Sequence, residues 1–104
     1  MTVKLYRAVC RAEADLAVSL GTLSVIEGSL EGKWFAERID DARRWGEYFS
    51  RISGAENNII LEVEYPDTLV ELFFRAPRLD GIGPAIFAHA PEFAQCVAIR
   101  EVGP

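Results

Sequence analysis

The chain has 104 residues, 50% apolar and 26% charged, with eight glycines and five prolines; that is a globular composition, which excludes disordered and collagen-like chains, and the length suits one domain, 1–104. Eleven Lys and Arg against sixteen Asp and Glu leave a formal net charge of −5, which argues against nucleic acid as a partner, because phosphate contacts need a basic surface. No apolar run approaches the roughly 20 residues that cross a bilayer, and the start MTVKLYRAVC shows neither a charged leader nor an apolar signal core, so the expectation is a cytoplasmic protein with no membrane partner.

Cys10 and Cys96 are too few for a metal quartet, and the single histidine excludes a His-rich zinc site. Both cysteines are expected as free, buried or half-buried thiols, and no metal is expected. Chemistry must then rest on carboxylates, arginines, hydroxyls, one imidazole or a bound cofactor.

Val3 to Val9 is rich in β-formers and predicts a first strand, with Val3, Leu5, Arg7 and Val9 on one face. Arg7 interrupts that apolar face. A guanidinium there needs an anionic ligand, an internal carboxylate, or a sheet-edge position from which its head reaches water. RAEADLAVSL, Arg11 to Leu20, predicts a short helix with Ala12, Leu16 and Leu20 at four-residue spacing and Gly21 placed to end it. Leu23 to Ile26 reads as a brief strand, and GSLEG as a loop before the strand KWFAE. Trp34 and Phe35, as neighbours on a strand, face opposite ways, so only one of them should line a given pocket.

RIDDARRWGEYFSRIS carries Ile39, Ala42, Trp45, Phe49 and Ile52 at helical spacing and leaves Arg43, Arg44, Glu47 and Arg51 outside. Its interleaved charges predict a solvated helix with intrahelical pairs. Ile59 to Tyr65 alternates as a half-buried strand ended by Pro66, with Glu62 and Glu64 on the water side. Asp67 is placed to cap a helix TLVELFF, and the crowding of Leu69, Val70, Leu72, Phe73 and Phe74 suggests a groove wall or a homodimer contact. RAPRLDGIGPA reads as a shaped loop, followed by strands around Ile86 to His89 and Val97 to Val102. The order β-α-β-β-α-β-α-β-β predicts an α+β domain with a mostly antiparallel or mixed sheet and two to three short helices.

Three stretches, LYRAV on the first strand, GSLEGKWFAERIDDARRWGEYF in the middle and LDGIGPAIFAH followed by IREV, resemble the small ADP-ribosyltransferase-like domains found among bacterial polymorphic toxins and as stand-alone bacterial proteins. The resemblance covers nearly the whole chain. It implies an ADP-ribosyltransferase-like fold that takes NAD or a related ADP-ribosyl ligand, a nucleotide-type small molecule, beside the first strand. Arg7 matches the family's first-strand arginine and would grip the diphosphate. Tyr6, Trp34, Phe35 and Ala36 would then shape the nicotinamide and ribose region. Glu37, His89 and Glu92 are the candidates for acid or base work in an NAD-dependent transferase or NAD glycohydrolase. The sequence departs from the family's pattern where Ala36 and Glu37 stand in place of a Ser-Thr pair, and no Glu-x-Glu or Gln-x-Glu occurs near the last strands. A catalytically degenerate relative, serving as a self-associating or protein-interaction module, is therefore the alternative expectation.

Overall fold

The computed structural model describes residues 1–23, 32–53, 57–79, 82–89 and 92–102. Among the described residues six strands, β1 (Thr2–Val9), β2 (Gly32–Ala36), β3 (Ile59–Pro66), β4 (Phe74–Leu79), β5 (Gly83–His89) and β6 (Ala98–Glu101), form one sheet in the order β4-β5-β2-β1-β3-β6. Every neighbouring pair is antiparallel. With α1 (Arg11–Leu20), α2 (Ile39–Ser53), the single turn α3 (Asp67–Val70) and a 3₁₀ turn at Glu92–Ala94, the class is α+β.

The pleat sorts the core into two layers. Leu5, Val9, Phe35, Leu61, Val63, Tyr65, Ile86 and Ala88 point to one face, where Ala14 and Ala17 of α1, Val70, Phe73 and Phe93 close over them. On the other face Ala36, Ile60 and Ala85 lie under Ala42 and Trp45 of α2. Buried Tyr65 locks the first layer to the 3₁₀ turn by donating its hydroxyl to the Phe93 carbonyl at 2.6 Å. An exposed fork from Arg11 to Glu101, at 2.8 and 2.9 Å, ties α1 to β6.

β1, α1 and β2 agree with the sequence pattern, and Gly21 ends α1 in the left-handed region at φ 71°. The inward face of α1 differs. Alanines 14 and 17 pack on the sheet while Ala12, Leu16 and Leu20 are exposed, because the small side chains let the helix axis come close. In α2 the outward charges pair within the helix, Arg43 with Asp40 at 3.1 Å and Arg44 with Asp41 at 3.8 Å. Ala42 and Trp45 are buried as the spacing predicts, whereas Phe49 and Ile52 are 37% and 64% exposed.

The expected helix TLVELFF is a correction: it stops after one turn, and Phe74 opens β4. The stretch RAPRLDGIGPA likewise gives β4 and the start of β5, where a loop was expected. Pro77 is tolerated because β4 is the sheet's edge, and the ladder slips between Ala76 and Leu79. The brief strand at Leu23 to Ile26 and the GSLEG loop lie outside the described residues except for Leu23, which is buried, and Gly32, which opens β2. Cys10 and Cys96 are both free and half-buried. Among the described residues no helix is long and apolar enough to cross a membrane.

Candidate functional site

β1 and β2 are neighbours in the sheet, yet they pair only at Tyr6 and Ala36. Continued in register, the ladder would set Arg7 against Phe35 and Ala8 against Trp34, and there the strands part instead. By contrast, β1 pairs with β3 along all eight of its residues, from Thr2 with Pro66 to Val9 with Ile59. The parting frees backbone groups that a sheet would have used. One of them, the Trp34 carbonyl, accepts from Arg7 Nη1 at 3.2 Å.

A cavity of about 310 Å³ opens at this divergence. β1 contributes Tyr6, Arg7 and Ala8, β2 contributes Trp34, Phe35 and Ala36, and α2 closes the roof with Ala42, Trp45 and Phe49; Glu13 of α1 and Asn57 complete the lining. Because the space lies in a gap of the sheet, both Trp34 and Phe35 border it despite facing opposite ways, which corrects the expectation that only one could. Gly46 fixes the height of α2 over β1: a Cβ there would run into the Asn57 carbonyl and stand 3.1 Å from the Ala8 methyl. Trp45 is 6% exposed, and its Nε1–H is buried with no acceptor among the described residues.

At one wall of the cavity lies a compact charge cluster. Arg7 Nε donates to Glu13 Oε2 at 2.9 Å, and Lys33 Nζ stands 3.9 Å from the same oxygen. Side-chain exposure is 23% for Arg7, 17% for Glu13 and 7% for Lys33. Lys33 shares its face with Phe35 and lies over the Phe93 ring, 5.5 Å from the centroid. Burial, and then the charge of Arg7, lower its pKa, with Glu13 opposing them. Two cations and one carboxylate leave the cluster with one unbalanced positive charge when all three are ionised.

A second cluster lies on the α2 face towards β6. Glu62 is 9% exposed, which corrects its expected place on the water side: it accepts from Arg100 Nε at 2.8 Å and has Lys4 Nζ at 3.9 Å. Its cover is made of long side chains that themselves reach solvent, Lys4 and Arg100 being 52% and 65% exposed. The hydrogen bond from Arg100 holds the Glu62 carboxyl below its usual pKa. Tyr6 stands directly opposite Glu62 in the ladder, and burial followed by the Glu62 charge raises its phenol pKa. Glu64 is half-buried and accepts from the Thr2 hydroxyl at 2.6 Å.

All five residues expected to shape the ligand region, Tyr6, Arg7, Trp34, Phe35 and Ala36, border the one cavity. The three acid or base candidates lie elsewhere. Glu37 is exposed just beyond β2 and accepts from Arg75 Nη1 at 2.7 Å. His89 is exposed at the end of β5, edge-on to the Phe87 ring at 4.7 Å. Glu92 belongs to the 3₁₀ turn on the α1 face, with Oε2 buried and no partner among the described residues. The carboxylate that does border the cavity is Glu13, which the sequence reading passed over. Its signal was its place beside Ala14 and one turn before Ala17, the pair that α1 turns inward.

The residues test the implied ligand in two ways. A cavity of about 310 Å³ falls at the small end of the roughly 300–1,000 Å³ typical of ligand sites, so it admits a part of a dinucleotide and leaves the rest outside. The guanidinium has five N–H donors, of which Glu13 and Trp34 engage one each, so its anion-binding capacity is not exhausted by these partners. Comparison with protein-family models, with curated proteins and with solved structures finds no match to this chain.

Proposed function

We propose that the gap between β1 and β2 is a binding site for NAD or a related ADP-ribosyl ligand in an ADP-ribosyltransferase-like domain. The observation that carries this reading is Arg7, a mostly buried guanidinium beside a cavity that exists because two neighbouring strands separate at that residue. A diphosphate offers oxygens that match its planar fork, and the excess positive charge of the cluster favours an anion. Trp34 and Trp45 supply flat apolar walls, while Ala36 and Ala42 leave room between them. The role proposed is binding without transfer, because Glu37, His89 and Glu92 do not border the cavity, the carboxylate that does, Glu13, is engaged by Arg7, and Ala36 brings no hydroxyl to it.

Calorimetric titration with NAD and with ADP-ribose tests the reading. The wild type should bind, and Arg7→Ala should bind on the order of tenfold to a hundredfold more weakly, the worth of hydrogen bonds to a charged group. Absence of heat in both proteins removes the proposal.

A second reading, a self-associating module, is favoured by one observation: Leu72, in the turn before the edge strand β4, and Phe74, its first residue, are 79% and 61% exposed. Sedimentation at rising concentration decides it, and a monomer throughout would end it.

A further inference from the structure

The acid that holds Arg7 is itself placed where a ligand's anion would have to come. Glu13 borders the cavity and takes the Nε–H of Arg7, so a diphosphate that engages this guanidinium meets a like charge within hydrogen-bonding distance of it. Left in place the carboxylate repels the ligand, and moved away without a partner it would be a half-buried, uncompensated charge. Lys33 removes that dilemma. Its ammonium is already 3.9 Å from Glu13 Oε2, too long for a hydrogen bond and near enough that a small side-chain rotation closes it.

Resting on the reading of the cavity as a diphosphate site, we propose that Glu13 is a built-in competitor for Arg7: an incoming diphosphate takes the guanidinium, and Glu13 passes to Lys33. Lys33 is thus a positioning residue, and Glu13 sets the charge the ligand must bring. A neutral ligand cannot displace a carboxylate from arginine. A phosphate or diphosphate can, since it returns charge-assisted hydrogen bonds to the same fork. The arrangement also accounts for a lysine at 7% exposure with a carboxylate in ion-pair range but no hydrogen bond to it.

Titration with inorganic pyrophosphate and with ADP-ribose separates the parts. Glu13→Gln removes the competitor and keeps the shape, so both probes should bind roughly tenfold tighter than to wild type; Lys33→Met removes the destination of Glu13, so both should bind roughly tenfold more weakly. A second measurement needs no variant. The chain has two lysines, Lys4 and Lys33, so lysine ¹³Cε spectra carry two signals, one of them from an exposed control. Saturating the wild type with pyrophosphate should raise the pKa of Lys33 and leave that of Lys4 unmoved. Glu13→Gln binding no tighter than wild type, or a Lys33 signal indifferent to ligand, overturns the exchange while wild-type binding upholds the site. Failure of the wild type to bind either probe overturns both.

Discussion

Two clusters of identical make-up lie on opposite faces of the sheet. Glu13 has an arginine at 2.9 Å and a lysine at 3.9 Å; Glu62 has an arginine at 2.8 Å and a lysine at 3.9 Å. Their contacts are nearly the same, and their surroundings are not. Arg7 and Lys33 are 23% and 7% exposed, against 65% and 52% for Arg100 and Lys4. Distances therefore do not rank the two. What ranks them is where each cation can go when its partner is removed: Arg100 and Lys4 can turn into water, while Arg7 and Lys33 are held between α1, β2 and Phe93.

The sharpest way to break the parallel is to delete each carboxylate. Glu13→Ala should cost about 3 kcal/mol, the lower part of the range for breaking a buried pair, because it strands two enclosed cations. Glu62→Ala should cost about 1 kcal/mol or less, as for an exposed pair. Urea unfolding of both variants measures the difference, and equal losses would mean that cation burial does not govern the clusters.

The same contrast explains what was legible in the sequence. Arg7 stood out because it interrupts Val3, Leu5 and Val9, a pattern that left an anionic ligand, an internal carboxylate and a water-reaching edge position all open; the structure supplies the carboxylate. Glu13 did not stand out, since the leucines of α1 draw the eye to a stripe that is exposed, and the alanines that do pack carry a weaker pattern. Lys33 was readable in principle from alternation with Phe35, but only once β2 is known to lie beside β1, a long-range pairing no local pattern encodes. For the same reason Glu62 was misplaced: alternation puts it opposite the α1 layer, and only the register of β6 brings Arg100 over it. β4 was missed because the glycines and prolines of RAPRLDGIGPA read as one loop, and the edge position that tolerates Pro77 in a strand is a property of the whole fold. The parting of β1 from β2, which makes the cavity, leaves no mark in either strand.

Acid and base separate the clusters in a second, smaller effect. The folded pKa of Glu62 is depressed, so its stabilisation is present above the ordinary value of 4.5 and is lost as pH falls through the lower folded value. Lys33 runs the other way. Its folded pKa lies below the ordinary 10.5, so between those two values the unfolded chain holds more protons and stability rises with pH. Tyr6 and Tyr65, whose phenol pKa values are raised chiefly by burial, subtract stability above their ordinary 10.0. Urea midpoints against pH should therefore lose part of their acid decline in Glu62→Gln and part of their rise below pH 10 in Lys33→Met. Exchange of these two signatures between the variants would reverse the assignment.

Salt gives the smallest effect and isolates the exposed cluster. Arg100→Ala leaves Lys4 to answer the Glu62 charge, so the urea midpoint should drop only slightly at low ionic strength. At about 1 M salt the screening length shrinks to roughly 3 Å, so the attraction between the exposed Arg100 and Glu62 is weakened in the wild type too, and that slight loss should shrink further. Arg7→Ala should keep most of its penalty at both salt concentrations, because a carboxylate and a lysine that are 17% and 7% exposed are screened much less than surface charges. A penalty for Arg7→Ala that fades with salt as fully as that of Arg100→Ala would place the Glu13 cluster in contact with bulk solvent, and the special standing of the cavity wall would go with it.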